Sequence, residues 1–188
     1  MTGGAGSSST GGVGGAVNLV GGTGSTSSGG DISLTSGFGV TKSSGKIVIA
    51  SADAGTKGAS GAMYFSTGDS SGGASGMIKF STGAATGGTS GSFSVIAGQG
   101  DTGTGNAITL DAGQSTVATG GTVSLSSGIG TSKSSGSIVL KTSDSGSNGV
   151  SGAIEIKTGN SNSGSSGKVD ISTGSATAGS GGSITMSS

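Results

Sequence analysis

The stretch Gly30-Asp31-Ile32-Ser33-Leu34-Thr35-Ser36-Gly37 decides the fold prediction. Its two large apolar residues, Ile32 and Leu34, are separated by one polar residue, and glycines bracket the phrase. Alternation of apolar and polar residues with a period of two is typical of a strand that buries one face. The phrase therefore predicts a short β-strand that ends at glycine-rich corners.

The same phrase occurs twelve times in the 188 residues. Its apolar pairs are Val17/Leu19, Ile32/Leu34, Ile47/Ile49, Met63/Phe65, Ile78/Phe80, Phe93/Val95, Ile108/Leu110, Val123/Leu125, Ile138/Leu140, Ile154/Ile156, Val169/Ile171 and Ile184/Met186. Successive pairs are 15 residues apart, except for steps of 16 at Ile47 to Met63 and at Ile138 to Ile154. So regular a period is typical of stacked repeats. The sequence predicts an all-β protein, a single narrow parallel β-solenoid (β-helix) of about twelve coils with about 15 residues per coil.

In such a solenoid the apolar pairs would form two buried columns. The first column would hold Ile32, Ile47, Ile108, Ile138 and Ile154, and the second Leu34, Ile49, Leu110, Leu140 and Ile156. The two longer coils would carry their extra residue within 53–60 and 144–151. Corner glycines, such as Gly37 and Gly128, would adopt the positive φ that some turns require.

A longer period of 91 residues relates the two halves, since Lys42-Ser43-Ser44-Gly45 matches Lys133-Ser134-Ser135-Gly136. We therefore expect one solenoid domain over 1–188, built from about two copies of a 91-residue, six-coil module, with 1–14 as an incomplete first coil. Neither end differs from the repeats, whereas terminal repeats normally differ in order to seal the core. This predicts a piece of a longer array.

Composition argues against most chemistry. Gly accounts for 46 residues, while Pro, Cys, His and Trp are absent. Ser-His and Cys-His nucleophiles and Cys/His zinc sites are thereby excluded. The net charge is zero and only 9% of residues are charged, so no basic field is present to hold nucleic acid. No apolar run approaches the roughly 20 residues that span a bilayer. We predict a protein that is not an enzyme, with no cofactor, no nucleic-acid partner and no membrane span.

Two motifs contain carboxylates that could bind a metal ion or act in catalysis. The string from Gly100 to Asn106 is loosely similar to a calcium-binding β-roll turn, but it occurs once, so no metal site is predicted. Glu155 and Asp170 take the same outward position on neighbouring coils, as a catalytic pair could. Lysines share that wall, namely Lys141, Lys157 and Lys168. We therefore expect ion pairs between coils and no catalytic residues.

Charge is distributed unevenly, because nine of the sixteen charged residues take outward positions on the strand wall. The opposite wall is rich in small residues and includes Thr26, Thr41, Thr56, Thr86, Thr102, Thr116, Thr131 and Thr177. A flat surface of methyl and hydroxyl groups that repeats at the strand spacing could match an ordered water lattice. These eight threonines are the candidate residues of such a water-ordering surface.

In this arrangement the sequence resembles the repeat-built ice-binding β-solenoids, the hyperactive antifreeze proteins of insects and marine organisms. The resemblance implies adsorption to ice or to an ordered water surface through the threonine-rich wall. The chain departs from that pattern in lacking an unbroken Thr-x-Thr ladder and disulfides, and Lys42, Lys57 and Lys133 lie in or near the wall.

A second function from another class fits the same repeats. The tandem module and the absence of caps predict a structural or adhesive rod-like protein of a cell surface or an extracellular filament. Open solenoid ends could pair with other chains, giving self-association. For both functions we expect an extracellular or cell-surface location.

Overall fold

The computed structural model describes residues 2–7 and 11–187. Within these ranges the backbone forms no α-helix and no β-strand; it is an irregular coil interrupted by bends. The prediction of an all-β parallel solenoid, or β-helix, is therefore wrong. What recurs along the chain is a bend, once per repeat, and in several repeats a backbone hydrogen bond closes a loop across it.

The reason lies in where the backbone hydrogen bonds go. The Gly30 N–H donates to the carbonyl oxygen of Gly22 at 2.8 Å, and the Gly45 N–H donates to that of Gly37 at 3.0 Å. Both bonds join residues of one repeat, across the bend between them. A parallel sheet would need bonds between residues about one 15-residue repeat apart. Since the backbone pairs within repeats, no ladder connects one repeat to the next in the described residues.

The fifteen-residue period is nevertheless present in the structure. Bends or turns lie at 25–27, 40–42, 56–57, 71–73, 86–88, 101–103, 116–118, 131–133, 147–148, 162–164 and 177–179. Serine caps support two of them, because the Ser70 hydroxyl accepts from the Gly73 N–H at 3.1 Å and the Ser115 hydroxyl accepts from the Ala118 N–H at 2.9 Å. Such side-chain bonds to nearby backbone are a common way for serine to stabilise a turn.

The two sixteen-residue repeats carry their extra residue where the spacing predicted it. At 56–57 the Gly58 N–H donates to the Gly55 carbonyl at 3.2 Å, and at 147–148 the Gly149 N–H donates to the Gly146 carbonyl at 3.3 Å. These four-residue turns lie within 53–60 and 144–151, so this prediction is confirmed.

The chain divides into two units, Met1–Ser94 and Val95–Ser188. In the first unit Gly22 and Gly37 accept the bonds that close their loops, and in the second Gly113 and Gly128 do so, each 91 residues later. The positive-φ prediction for the corner glycines is wrong at Gly37 and Gly128, because positive φ occurs at other glycines among the described residues.

No described residue is buried. The five isoleucines of the first predicted column are between 52% and 55% exposed, and the five residues of the second are between 61% and 75% exposed. The prediction of two buried columns is therefore wrong. A strand-like alternation places the apolar pairs on one side of the chain, but burial also needs a second layer. The small residues of the opposite segments do not supply that layer.

Candidate functional site

All eight candidate ice-binding threonines lie in the bends. Thr26, Thr41 and Thr102 occupy the middle of a bend, whereas the other five, Thr56, Thr86, Thr116, Thr131 and Thr177, occupy its first position. Every one is exposed. The structure thus repeats one threonine at the tip of most loops, on irregular backbone instead of on a flat sheet.

Lysines share three of these bends. Lys42 follows Thr41, Lys57 follows Thr56, and Lys133 ends the bend that Thr131 begins. The bends at 71–73, 147–148 and 162–164 hold no threonine. The threonine set is therefore a recurring feature that some repeats lack, and in three bends an exposed threonine shares the bend with a lysine.

The carboxylates make ion pairs within their own repeats. Lys157 Nζ lies 2.8 Å from Glu155 Oε1, and Lys168 Nζ lies 2.6 Å from Asp170 Oδ2. The expectation of pairs between coils is wrong here, because residues two apart on an extended backbone lie on the same side and meet first. All four side chains are exposed, and such pairs contribute little to stability, at most about 1 kcal/mol each.

The described residues enclose no cavity and contain no group of three or more acidic side chains able to hold a metal ion. None of their helices could span a membrane, since no helix forms there.

A surface that sequence reasoning missed is formed by the apolar pairs. We call the twelve pairs, from Val17/Leu19 to Ile184/Met186, the apolar stripe. Every side chain of the stripe is at least 44% exposed. Together they form a regular set of large apolar side chains in contact with water. The signal that could have revealed this exposure is the low hydrophobic content of 29%, with no large residues left for an opposing wall.

Aromatic contacts show that neighbouring repeats touch along the stripe of the first unit. The ring centroids of Phe65 and Phe80 are 6.4 Å apart in an edge-to-face arrangement, with an interplanar angle of 89°. Those of Phe80 and Phe93 are 6.2 Å apart and stacked, at 27°. These geometries are favourable for aromatic pairs. The stripe is therefore continuous over three successive repeats, although no layer covers it.

Comparison with protein-family models, with curated proteins and with solved structures finds no match for this chain.

Proposed function

We propose that this chain is a structural repeat protein of a cell surface or an extracellular filament, and that it gains its core by assembling with other chains. The observation that carries the proposal is the accessible surface of the isolated chain, 18,078 Å². A compact monomer of 16.9 kDa is expected to expose only about 7,700 Å², and the fully unfolded chain about 24,500 Å². The isolated chain therefore buries about a quarter of its surface.

Covering exposed apolar surface is the main source of free energy for association, and this chain leaves much of its surface exposed. Each partly exposed apolar side chain of the stripe would contribute about 1 kcal/mol when covered, taking half of the 1.5 to 3 kcal/mol for full burial. This free energy of about 1 kcal/mol per side chain adds up along the chain, because every repeat has one apolar pair at the equivalent sequence position. A protein made of such repeats gains stability with each further repeat that is covered.

Composition supports a structural role as well. The small residues allow chains to approach closely, and the equal numbers of eight basic and eight acidic residues leave no net charge to oppose association. The tandem repeat offers a way to lengthen the protein without changing its surface chemistry.

The proposal is tested by sedimentation velocity and far-ultraviolet circular dichroism of the purified chain over a range of concentrations. We expect an unstructured or weakly structured monomer when dilute, and larger species with a changed spectrum when concentrated. A chain that stayed monomeric with the same spectrum at every concentration would exclude the structural role.

The recurring exposed threonines favour ice binding as the second candidate. Thr26, Thr41 and Thr102 lie at the middle of equivalent bends, so an assembly that aligned the loops would align these hydroxyl and methyl groups too. Ice adsorption would then depend on assembly for the rigid, regular surface that ice requires. Thermal hysteresis of the concentrated protein is the measurement that tests it.

A further inference from the structure

We infer that Asn148, together with Gly149, is a site of spontaneous covalent modification, at which the asparagine side chain loses ammonia and becomes aspartate or isoaspartate. The reaction needs water and no other reactant. It is separate from the proposed structural role, because it requires neither assembly nor a partner.

The reaction passes through a cyclic imide, a succinimide. The backbone nitrogen of Gly149 attacks the side-chain carbonyl carbon, Cγ, of Asn148. A bond forms between these atoms, the bond from Cγ to the amide nitrogen breaks, and the amide group leaves as ammonia with the proton of the attacking nitrogen. Water then opens the ring. Opening at Cγ gives aspartate, and opening at the main-chain carbonyl carbon gives isoaspartate, in which the backbone continues through the side chain.

The residue after the asparagine decides how easily the ring closes. Glycine has no Cβ to crowd its nitrogen, and its backbone can adopt the conformation that the ring requires. Of the five asparagines in the chain, only Asn148 precedes a glycine. The other four precede residues with a Cβ, namely Leu19, Ala107, Ser161 and Ser163. The sequence therefore concentrates this reactivity at one place.

A weak hydrogen bond closes the turn that contains this site. The Gly149 N–H donates to the Gly146 carbonyl oxygen at 3.3 Å, the longest of the backbone bonds that close loops and turns in the described part of the chain. Such bonds usually measure about 2.7 to 3.2 Å. Asn148 is exposed, so water can compete for the bond and can also hydrolyse the ring. The N–H must leave this bond before the nitrogen attacks, and breaking one exposed hydrogen bond costs little.

The backbone around the turn has room to rearrange. Chain neighbours aside, a Cβ added at Gly146 would meet nothing within 4 Å, and one added at Gly149 would meet only the Cβ of Ser145, at 3.8 Å. Neither helix nor strand forms over 11–187, so no regular backbone structure holds Asn148 in one conformation. A rigid backbone would keep the asparagine side chain away from the next nitrogen, and the turn lacks that protection.

The equivalent turn of the first unit has the same form without the reactive group. Its Gly58 N–H donates to the Gly55 carbonyl at 3.2 Å, and Lys57 occupies the position of Asn148, 91 residues earlier. Lysine has no side-chain carbonyl and does not cyclise. Deamidation thus gives the second unit a negative charge where the first has a positive one. It also changes the net charge of the chain from zero to one negative charge.

The first test follows the purified, dilute chain during incubation at neutral pH. Tandem mass spectrometry with electron-transfer dissociation locates each deamidated residue and distinguishes isoaspartate from aspartate. Deamidation should be extensive at Asn148 before it is detectable at Asn162, which also lies in a bend but precedes a serine. Isoaspartate should accompany aspartate in the product. Equal progress at the two asparagines, or aspartate alone at position 148, would overturn the inference.

Two variants test the ring closure itself. Gly149→Ala adds a methyl group that fits at ordinary contact distance, and Gly149 does not have the positive φ that would strain an alanine. The variant should keep the turn and deamidate much more slowly. Asn148→Gln, whose longer side chain would have to form a larger ring, should remain unmodified at this position. An unchanged rate in Gly149→Ala would exclude attack by the backbone nitrogen.

A peptide of residues 144–152 tests the contribution of the structure. Because one hydrogen bond restrains the Gly149 nitrogen, Asn148 should deamidate at most about tenfold more slowly in the chain than in the peptide. A greater difference would show that further contacts hold the turn closed and would overturn the inference. The dilute chain is used throughout, so none of these results depends on whether the protein assembles.

Discussion

Alanine at Gly39 should open the bend at 40–42, whereas alanine two residues earlier should not. A Cβ added at Gly39 would meet the backbone carbonyl oxygens of Lys42 and Ser43 closer than real Cβ atoms approach. Both obstacles are backbone atoms of the same bend, so they cannot move aside unless the bend opens. A Cβ added at Gly37 meets nothing within 4 Å, and Gly37 lacks the positive φ that would strain an alanine.

The expected effects have opposite signs. Gly37→Ala should stabilise the closed bend by about 0.4 to 1 kcal/mol, because alanine lowers the conformational entropy of the open chain. Gly39→Ala has the same gain but also forces a clash, which costs about 1 to 3 kcal/mol. The two variants should therefore differ by about 2 kcal/mol, which corresponds to about 30-fold in the equilibrium between closed and open bends.

The assay is amide hydrogen exchange by nuclear magnetic resonance at Gly45, whose N–H donates to the Gly37 carbonyl and closes this bend. Exchange at Gly45 should be faster in Gly39→Ala than in Gly37→Ala, by up to about 30-fold, the limit reached when the bend of Gly37→Ala is almost always closed. The equivalent amide of the second unit, Gly136, donates to Gly128 at 2.9 Å and serves as the control within the same molecule. Equal exchange at Gly45 in both variants would refute the close approach at Gly39.

Two further predictions concern the whole backbone and the threonines. In the dilute chain, most amides should exchange hydrogen at the rate of an unstructured peptide, and exchange should be slower at amides that close a loop, such as those of Gly30 and Gly121. Slow exchange at most amides of every repeat would contradict hydrogen bonding within repeats. If the assembled protein binds ice, Thr102→Lys should sharply lower thermal hysteresis, because a hydrated ammonium group at a bend tip orders water unlike ice, and Lys79→Ser should leave it unchanged. The reverse result would mean that the charged side of the chain binds ice.

Much of the local organisation could be predicted from the sequence. The steps of 15 and 16 residues between apolar pairs correctly predicted the two longer repeats, and the turns at 56–57 and 147–148 lie where they were expected. The eight candidate threonines lie in bends, whereas the pattern predicts a flat wall, so their structural setting was not predicted. The correct prediction of the longer repeats depends on short-range spacing, which backbone geometry translates directly into recurring turns.

Apart from the φ angles of Gly37 and Gly128, the predictions that were wrong required a choice between distant partners. Glu155 and Asp170 pair with lysines two residues away, and Gly22 accepts from Gly30 in its own repeat. A periodic sequence offers equivalent partners in the same repeat and in the next, so spacing alone does not choose between them. Closing a shorter loop costs less entropy, which favours the partner in the same repeat.

The sequence by itself determined the period of the repeats and the side of the chain on which Ile32 and Leu34 lie. Only the tertiary structure decided that these side chains stay exposed and that the backbone forms no ladder between repeats. The physical reason is that alternation specifies which residues share a side, whereas burial requires a second layer of large apolar groups. The repeat contains one such layer and no other, so the isolated chain leaves that layer in contact with water.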